Sequence, residues 1–332
     1  MRRFRFLTAL MLCFCVAFSG CASKPSETTS TSVTSGTTAA TTESAVITSA
    51  SESETSKEYP EDSIVDPSVF SRLDKGVTLE FKDKTVIQTG EVNGRKYSLT
   101  VDLNSWEGNT TPEQIGELSR LFWQAYPVMY ERFGKLSEAP VDVVLLIEDH
   151  GYEVAESWEN KVHIHDKWLY NNTEDFDCFT HELAHVIQHG WDGEKLEYDS
   201  YIERFADYCR FIYCLDNGAY NDHAWTLQTV ADESSRKTSV RFLVWLDYKL
   251  SNADRDFMKD YFLICTKGTY ASSKWKNAWK KLFKWTEFEG RSIKDVWKEY
   301  AISDFASLSS NASPGETSEL LAKYDLRRKL KR

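Results

Sequence analysis

Cys178-Phe179-Thr180-His181-Glu182-Leu183-Ala184-His185-Val186-Ile187-Gln188 reads as a helix with packing on one side and chemistry on the other. Cys178, Phe179, Leu183, Val186 and Ile187 recur at the spacing of an apolar stripe, so the helix is expected in a core. Residues four apart lie on one helix face, about 6 Å apart along the axis. His181 and His185 therefore reach a common metal ion, with Glu182 projecting close to the ion's open side. Further along, Glu203 opens Glu203-Arg204-Phe205-Ala206-Asp207, and Phe205, Tyr208, Phe211 and Ile212 supply a second buried helix face. Two rigid helices carrying this donor set predict a catalytic site for one Zn2+, with a coordination position left for water.

The third ligand is decided by reach. His189 continues the i, i+4 series, but on one helix it lies about 12 Å from His181, beyond a shared tetrahedral site. A spacing that ends in Gly and a third His also fails, because Gln188 and Trp191 occupy those places. Glu203 remains, with Asp207 one turn later to orient a histidine. Asp207 as the direct ligand is the alternative. Glu182 is then placed as general base, taking a proton from water and returning it to the leaving amine.

Elsewhere the chain sets the context. Arg2, Arg3 and Arg5 precede an apolar run from Leu7 to Phe18, too short for a comfortable bilayer span. Phe18-Ser19-Gly20-Cys21 resembles a bacterial lipobox, so residues 1–20 are expected to be a signal peptide and Cys21 the lipidated residue. Residues 21–60 are rich in Ser, Thr, Ala and Glu, a composition that favours a disordered tether. The expected location is the outer face of a bacterial membrane, anchored by lipid rather than spanning it. The formal charge of -11 offers no basic stripe for phosphates, which argues against nucleic-acid partners. Cys178 and Cys209 lie on apolar helix faces and read as core residues. No CxxC pair supports a cysteine zinc site.

Residues 61–105 are expected to be a β-rich segment. Val77, Leu79, Phe81, Val86, Tyr97, Leu99, Val101 and Leu103 alternate with polar residues, and Asn93-Gly94 marks a turn. Residues 106–310 are assigned to the catalytic domain and 311–332 to a polar, basic tail. Thr111-Pro112 opens a helix. The apolar run Val141 to Ile147 reads as a strand buried on both faces. In Val162-His163-Ile164-His165, alternation sends the histidines to one face. That face is expected either on the cleft floor, in a strand that forms the substrate-pairing edge, or in solvent. Helices follow over 239–250, 254–266, 274–284 and 293–300, with Trp275, Trp279, Trp285 and Trp297 as core anchors.

Taken together, His181-Glu182-x-x-His185 with Glu203-x-x-x-Asp207 resembles the gluzincin arrangement of zinc peptidases. The stretch His181 to Gln188, with Ile202 to Arg210, resembles the basic secretory protein family of plant and bacterial peptidases. Asn160-Lys161-Val162-His163, Arg241 to Leu246 and Gly290 to Tyr300 extend the similarity over about residues 95 to 305. The resemblance implies zinc on His181, His185 and Glu203, Glu182 as general base, and Asp207 supporting a ligand. The sequence departs where relatives carry a Gly-Tyr pair and this chain has Ser235-Arg236, which leaves Arg236, His223 or Tyr220 as candidate oxyanion stabilisers. Arg204 stands where relatives carry glycine.

The fold expected is α+β and zincin-like, a twisted sheet packed on helices followed by a helical C-terminal half. The expected function is peptide-bond hydrolysis at a cell surface, on a peptide or protein substrate. Two rivals are a catalytically silent zinc-containing binding module or adhesin, and a peptidase for glycoproteins or peptidoglycan peptides that stacks sugars on Trp158, Trp168 or Tyr170.

Overall fold

Alternating side chains and tight turns build a six-stranded mixed sheet with the order β1-β2-β3-β4-β6-β5. The structure, a computed structural model, describes residues 64–149, 154–173, 175–189, 196–213, 240–265, 278–303 and 306. The strands are β1 Thr78–Lys82, β2 Thr85–Val92, β3 Arg95–Asp102, β4 Asp142–Glu148, β5 Ala155–Trp158 and β6 Lys161–His165. Asn93 and Gly94 both take positive φ, 51° and 76°, and close the β2–β3 hairpin at the place their sequence marks. β3 then pairs in parallel with β4, and β4 with β6, so the strands before and after residue 105 form a single sheet.

Parallel pairing of β3 and β4 needs a long crossover, and helix α1, Pro112–Met129, supplies it. Thr111 Oγ1 accepts from the Gln114 amide while Gln114 Oε1 accepts from the Thr111 amide, a reciprocal cap that starts the helix. The chain continues through a π-helical turn, Tyr130–Gly134. The later helices are α2 Asp166–Asn171, α3 Asp177–Ile187, α4 Leu196–Tyr213, α5 Val240–Leu250, α6 Phe257–Cys265, α7 Ala278–Leu282 and α8 Ile293–Tyr300. Among the described residues no helix is long and apolar enough to cross a membrane.

Leu99, Val101, Val143, Leu145, Ile147, Val162 and Ile164 all point to the buried face of the sheet, under the helices. Their alternate neighbours Val144, Leu146, His163 and His165 are half-buried on the opposite face. The expectation that β4 is buried on both faces is therefore corrected, since α1 and α3 pack on one face only. A second correction concerns Trp285, which is 82% exposed rather than a core anchor. Phe283 and Phe288 fill the core at that turn, while Trp285 takes φ 60° and carries the Lys284 ammonium 4.1 Å from its ring. Trp279 and Trp297 are buried as expected, and so are the side chains of Cys178 and Cys209. Trp275, Cys21, residues 1–60 and the tail from 311 lie outside the described residues.

Two buried polar clusters fix how the layers sit. Arg132 donates to Asp256, Asp247 and Tyr208, and the Tyr208 hydroxyl donates to Asp247 at 2.7 Å. This ties the π-helical turn to α4, α5 and α6. Removing one partner from such a buried ionic cluster costs about 3–5 kcal/mol. At the start of α2, the buried Asp166 carboxylate accepts from the backbone amides of Glu107, Asn109 and Thr110 and from the Asn109 side chain. Burial alone would raise the Asp166 pKa, but these four donors outweigh it and hold the value below the ordinary 3.8.

A carboxyl depressed in the folded state contributes stability above its unfolded pKa and loses it as pH falls through the folded value. Asp166→Asn is therefore expected to cost about 2 kcal/mol at neutral pH. Denaturant titrations of both proteins should show that gap closing as the pH drops below about 4. A gap independent of pH would contradict the assignment.

Candidate metal centre

α3 forms for the reasons visible in its sequence, and its apolar side faces inward: Phe179, Leu183, Val186 and Ile187 are buried. α4 lies against it, burying Phe205, Tyr208, Phe211 and Ile212. The two helices run antiparallel. At one end Arg210 Nε and Nη2 donate to Asp177 at 2.7 and 2.9 Å, and Nη2 also donates to Asp175 at 2.7 Å. Burial opposes the guanidinium charge, and the two carboxylates more than offset it, so Arg210 stays protonated. Arg204 is also buried, its guanidinium 5.2 Å from the Tyr201 ring.

Between these helices the polar side chains converge. His181 Nε2 and His185 Nε2 are 3.2 Å apart. One Glu203 oxygen is 3.2 Å from His181 Nε2 and the other is 3.4 Å from His185 Nε2. For tetrahedral zinc with bonds of about 2.0–2.1 Å, ligand atoms are expected about 3.3 Å apart. The three groups thus present donors at the mutual spacing that a single ion requires. His181, Glu182 and His185 also hold one donor atom each within 4.8 Å of one another. Glu203 spans both imidazoles, whereas Glu182 Oε2 accepts a 2.9 Å bond from Ser157 Oγ on β5. Glu203 is thus placed where a third ligand could sit, with Glu182 beside it.

The far nitrogens of both imidazoles are held as well. His181 Nδ1 lies 2.9 Å from Asp207 Oδ1, and His185 Nδ1 lies 2.8 Å from Gln188 Oε1. Gln188, only 1% exposed, passes its amide on to the Ile202 carbonyl at 3.3 Å, next to Glu203. Protonating Nδ1 in each ring leaves Nε2 as the lone-pair donor. Burial lowers the His181 pKa, but the bonds to Asp207 and Glu203 outweigh it and push the value up to about 10. The two carboxylates therefore favour positive charge at this imidazole, carried as a proton in the metal-free protein.

The structure brings His181, Glu182, His185, Glu203 and Asp207 together and places other candidates elsewhere. Of the two placements expected for His163 and His165, the structure has the one away from the floor of this site. Ser157 pairs with Val162 across β5 and β6, and both face the helices, so His163 and His165 project from the opposite face. There His163 Nδ1 is 2.6 Å from Glu148 and His165 Nδ1 is 3.6 Å from Asp149. The outermost strand beside the site is β5, not β6. His189 is exposed at the end of α3. Trp158 and Tyr170 are exposed, while Trp168 donates its indole N–H to Asp175. Tyr220, His223 and Arg236 lie outside the described residues.

No family model, no curated protein and no solved structure matches the chain. The site therefore stands on its own geometry. Sequence reasoning missed Ser157 and the function of Gln188. Gln188 was within reach, since a residue three after a helical histidine shares its face. Ser157 had no signal, because its contact depends on how β5 meets α3.

Gln188→Met, which keeps the volume and removes both hydrogen bonds, is expected to weaken zinc binding about 10–100-fold. Competition with a chromophoric chelator would measure this. An unchanged dissociation constant would show that Gln188 does not orient His185.

Proposed function

We propose that this chain is a zinc metallopeptidase with a zincin-like catalytic fold, of gluzincin type, on the strength of its sequence resemblance to the basic secretory protein family of peptidases. In this reading it is exported and held at the outer face of a bacterial membrane through a lipid on Cys21. The observation that carries the reading is the triad His181, His185 and Glu203, with donor atoms 3.2 to 3.4 Å apart and an unligated carboxylate, Glu182, beside it. A purely structural zinc site closes its coordination shell with four protein ligands; three ligands plus an adjacent acid–base group suit catalysis. The mixed sheet with its helices on one face is compatible with the zincin architecture.

Zinc held by His181, His185 and Glu203 would supply Lewis acidity and would lower the pKa of a bound water to about 7. Glu182 would accept a proton from the water that adds to the peptide carbonyl carbon and pass it to the amine nitrogen as the C–N bond breaks. Asp207 and Gln188 hold the two imidazoles in the tautomer that donates from Nε2. Glu203 supplies the negative charge that a histidine pair lacks.

The test compares zinc content and peptide or casein hydrolysis across three proteins. Glu182→Gln should retain zinc and lose about 10²–10⁴-fold in kcat/KM. His185→Ala should lose zinc and activity together. Equal hydrolysis by wild type and Glu182→Gln would refute the mechanism. Zinc bound without any turnover in the wild type would favour a silent binding module.

A further inference from the structure

We propose that Ser157 is a positioning residue for Glu182, an assignment that rests on the peptidase reading above. Ser157 sits within β5, the outermost strand at its end of the sheet, in register with Val162 of β6. That register turns its side chain toward α3, and its Oγ reaches Glu182 Oε2 at 2.9 Å. An ionised carboxylate only accepts hydrogen bonds, so the serine hydroxyl is the donor. The bond fixes the orientation of the carboxylate while leaving lone pairs on it to accept a proton.

The geometry makes this more than a packing contact. Glu182 is largely buried on α3, where His181 precedes it and His185 follows three residues later, and its Oε2 accepts from Ser157 Oγ. A glutamate has three side-chain torsions, and a general base must sit within hydrogen-bond reach of the proton it removes. Ser157 approaches from a different layer, the sheet, and thereby references the base to the strand beside the site rather than to its own helix. Each partner has its position set independently, Ser157 by strand pairing and Glu182 by the helix that carries the ligands. The bond between them is therefore a gauge of how the sheet and the metal helices meet.

Full-length wild type, Ser157→Ala, Ser157→Thr and Glu182→Gln, together with the Ser157→Ala/Glu182→Gln double variant, provide the test. Each is measured for kcat and KM on one peptide, for zinc affinity by chelator competition, and for thermal unfolding. Ser157→Ala is expected to lower kcat about tenfold, since misplacing a general base forfeits part of its 10²–10⁴-fold contribution. KM and zinc affinity should stay within about twofold, well short of the 10–100-fold expected when a ligand's own support is lost. Ser157→Thr, which keeps the hydroxyl on a strand-favouring residue, should recover most of the loss. In the Glu182→Gln background, Ser157→Ala should have no further effect.

Glu182-dependent turnover that Ser157→Ala leaves intact would overturn this role alone. So would a loss of kcat matched by equal losses in zinc affinity or unfolding temperature, or one that persists in the Glu182→Gln background. A wild-type protein without Glu182-dependent turnover would overturn the peptidase reading and this role with it.

Discussion

Everything at the candidate site depends on α4 lying antiparallel against α3 in one register. Two of the three proposed ligands come from α3 and the third from α4, so a slip of one residue along the contact would carry Glu203 about 1.5 Å from its place. The register is pinned at both ends. Arg210 grips Asp177 and Asp175 at the start of α3, and Gln188 at the other end bonds the Ile202 carbonyl beside Glu203. Tyr208, one residue past Asp207, is fixed in turn by Arg132 and Asp247. The rotation of α4 that aims Glu203 and Asp207 at the histidines is thus held by buried charge as well as by packing.

Buried ionic clusters of this kind carry a desolvation cost, and an apolar substitute is often at least as stable. Their use here is directional. Hydrophobic contacts among Phe133, Phe205 and Phe262, with ring centroids 4.9 to 5.4 Å apart, hold the helices together but tolerate sliding. The forked bonds of Arg132 and Arg210 accept only one alignment. The protein thus separates cohesion, which the aromatics supply, from register, which the arginines supply.

Much of this was legible before any coordinates. Spacing alone placed His181 and His185 on one face and His189 out of reach, because helical periodicity is a local property, and it left Glu203 and Asp207 as alternatives for a third ligand. The hairpin at Asn93-Gly94 and the cap at Thr111 were readable for the same reason. Alternation in Val162-His163-Ile164-His165 was also readable, yet it left open which face meets the helices, and that is a tertiary fact. Burying Val162 and Ile164 under α3 sends His163 and His165 to the far side. Ser157 could not have been found at all, since nothing in Ala155–Trp158 records its distance from Glu182. Trp285 failed for a related reason: a core has finite volume, and Phe283 and Phe288 occupy it first.

The central claim is that His181, His185 and Glu203 share one metal ion. X-ray absorption at the zinc edge of the zinc-loaded protein tests it most directly, because it reports the atoms bonded to the ion. The account predicts one zinc per chain with two imidazole nitrogens at about 2.0–2.1 Å and oxygen ligands completing a four-coordinate shell. A shell without imidazole, or a protein that takes up no zinc, would contradict it.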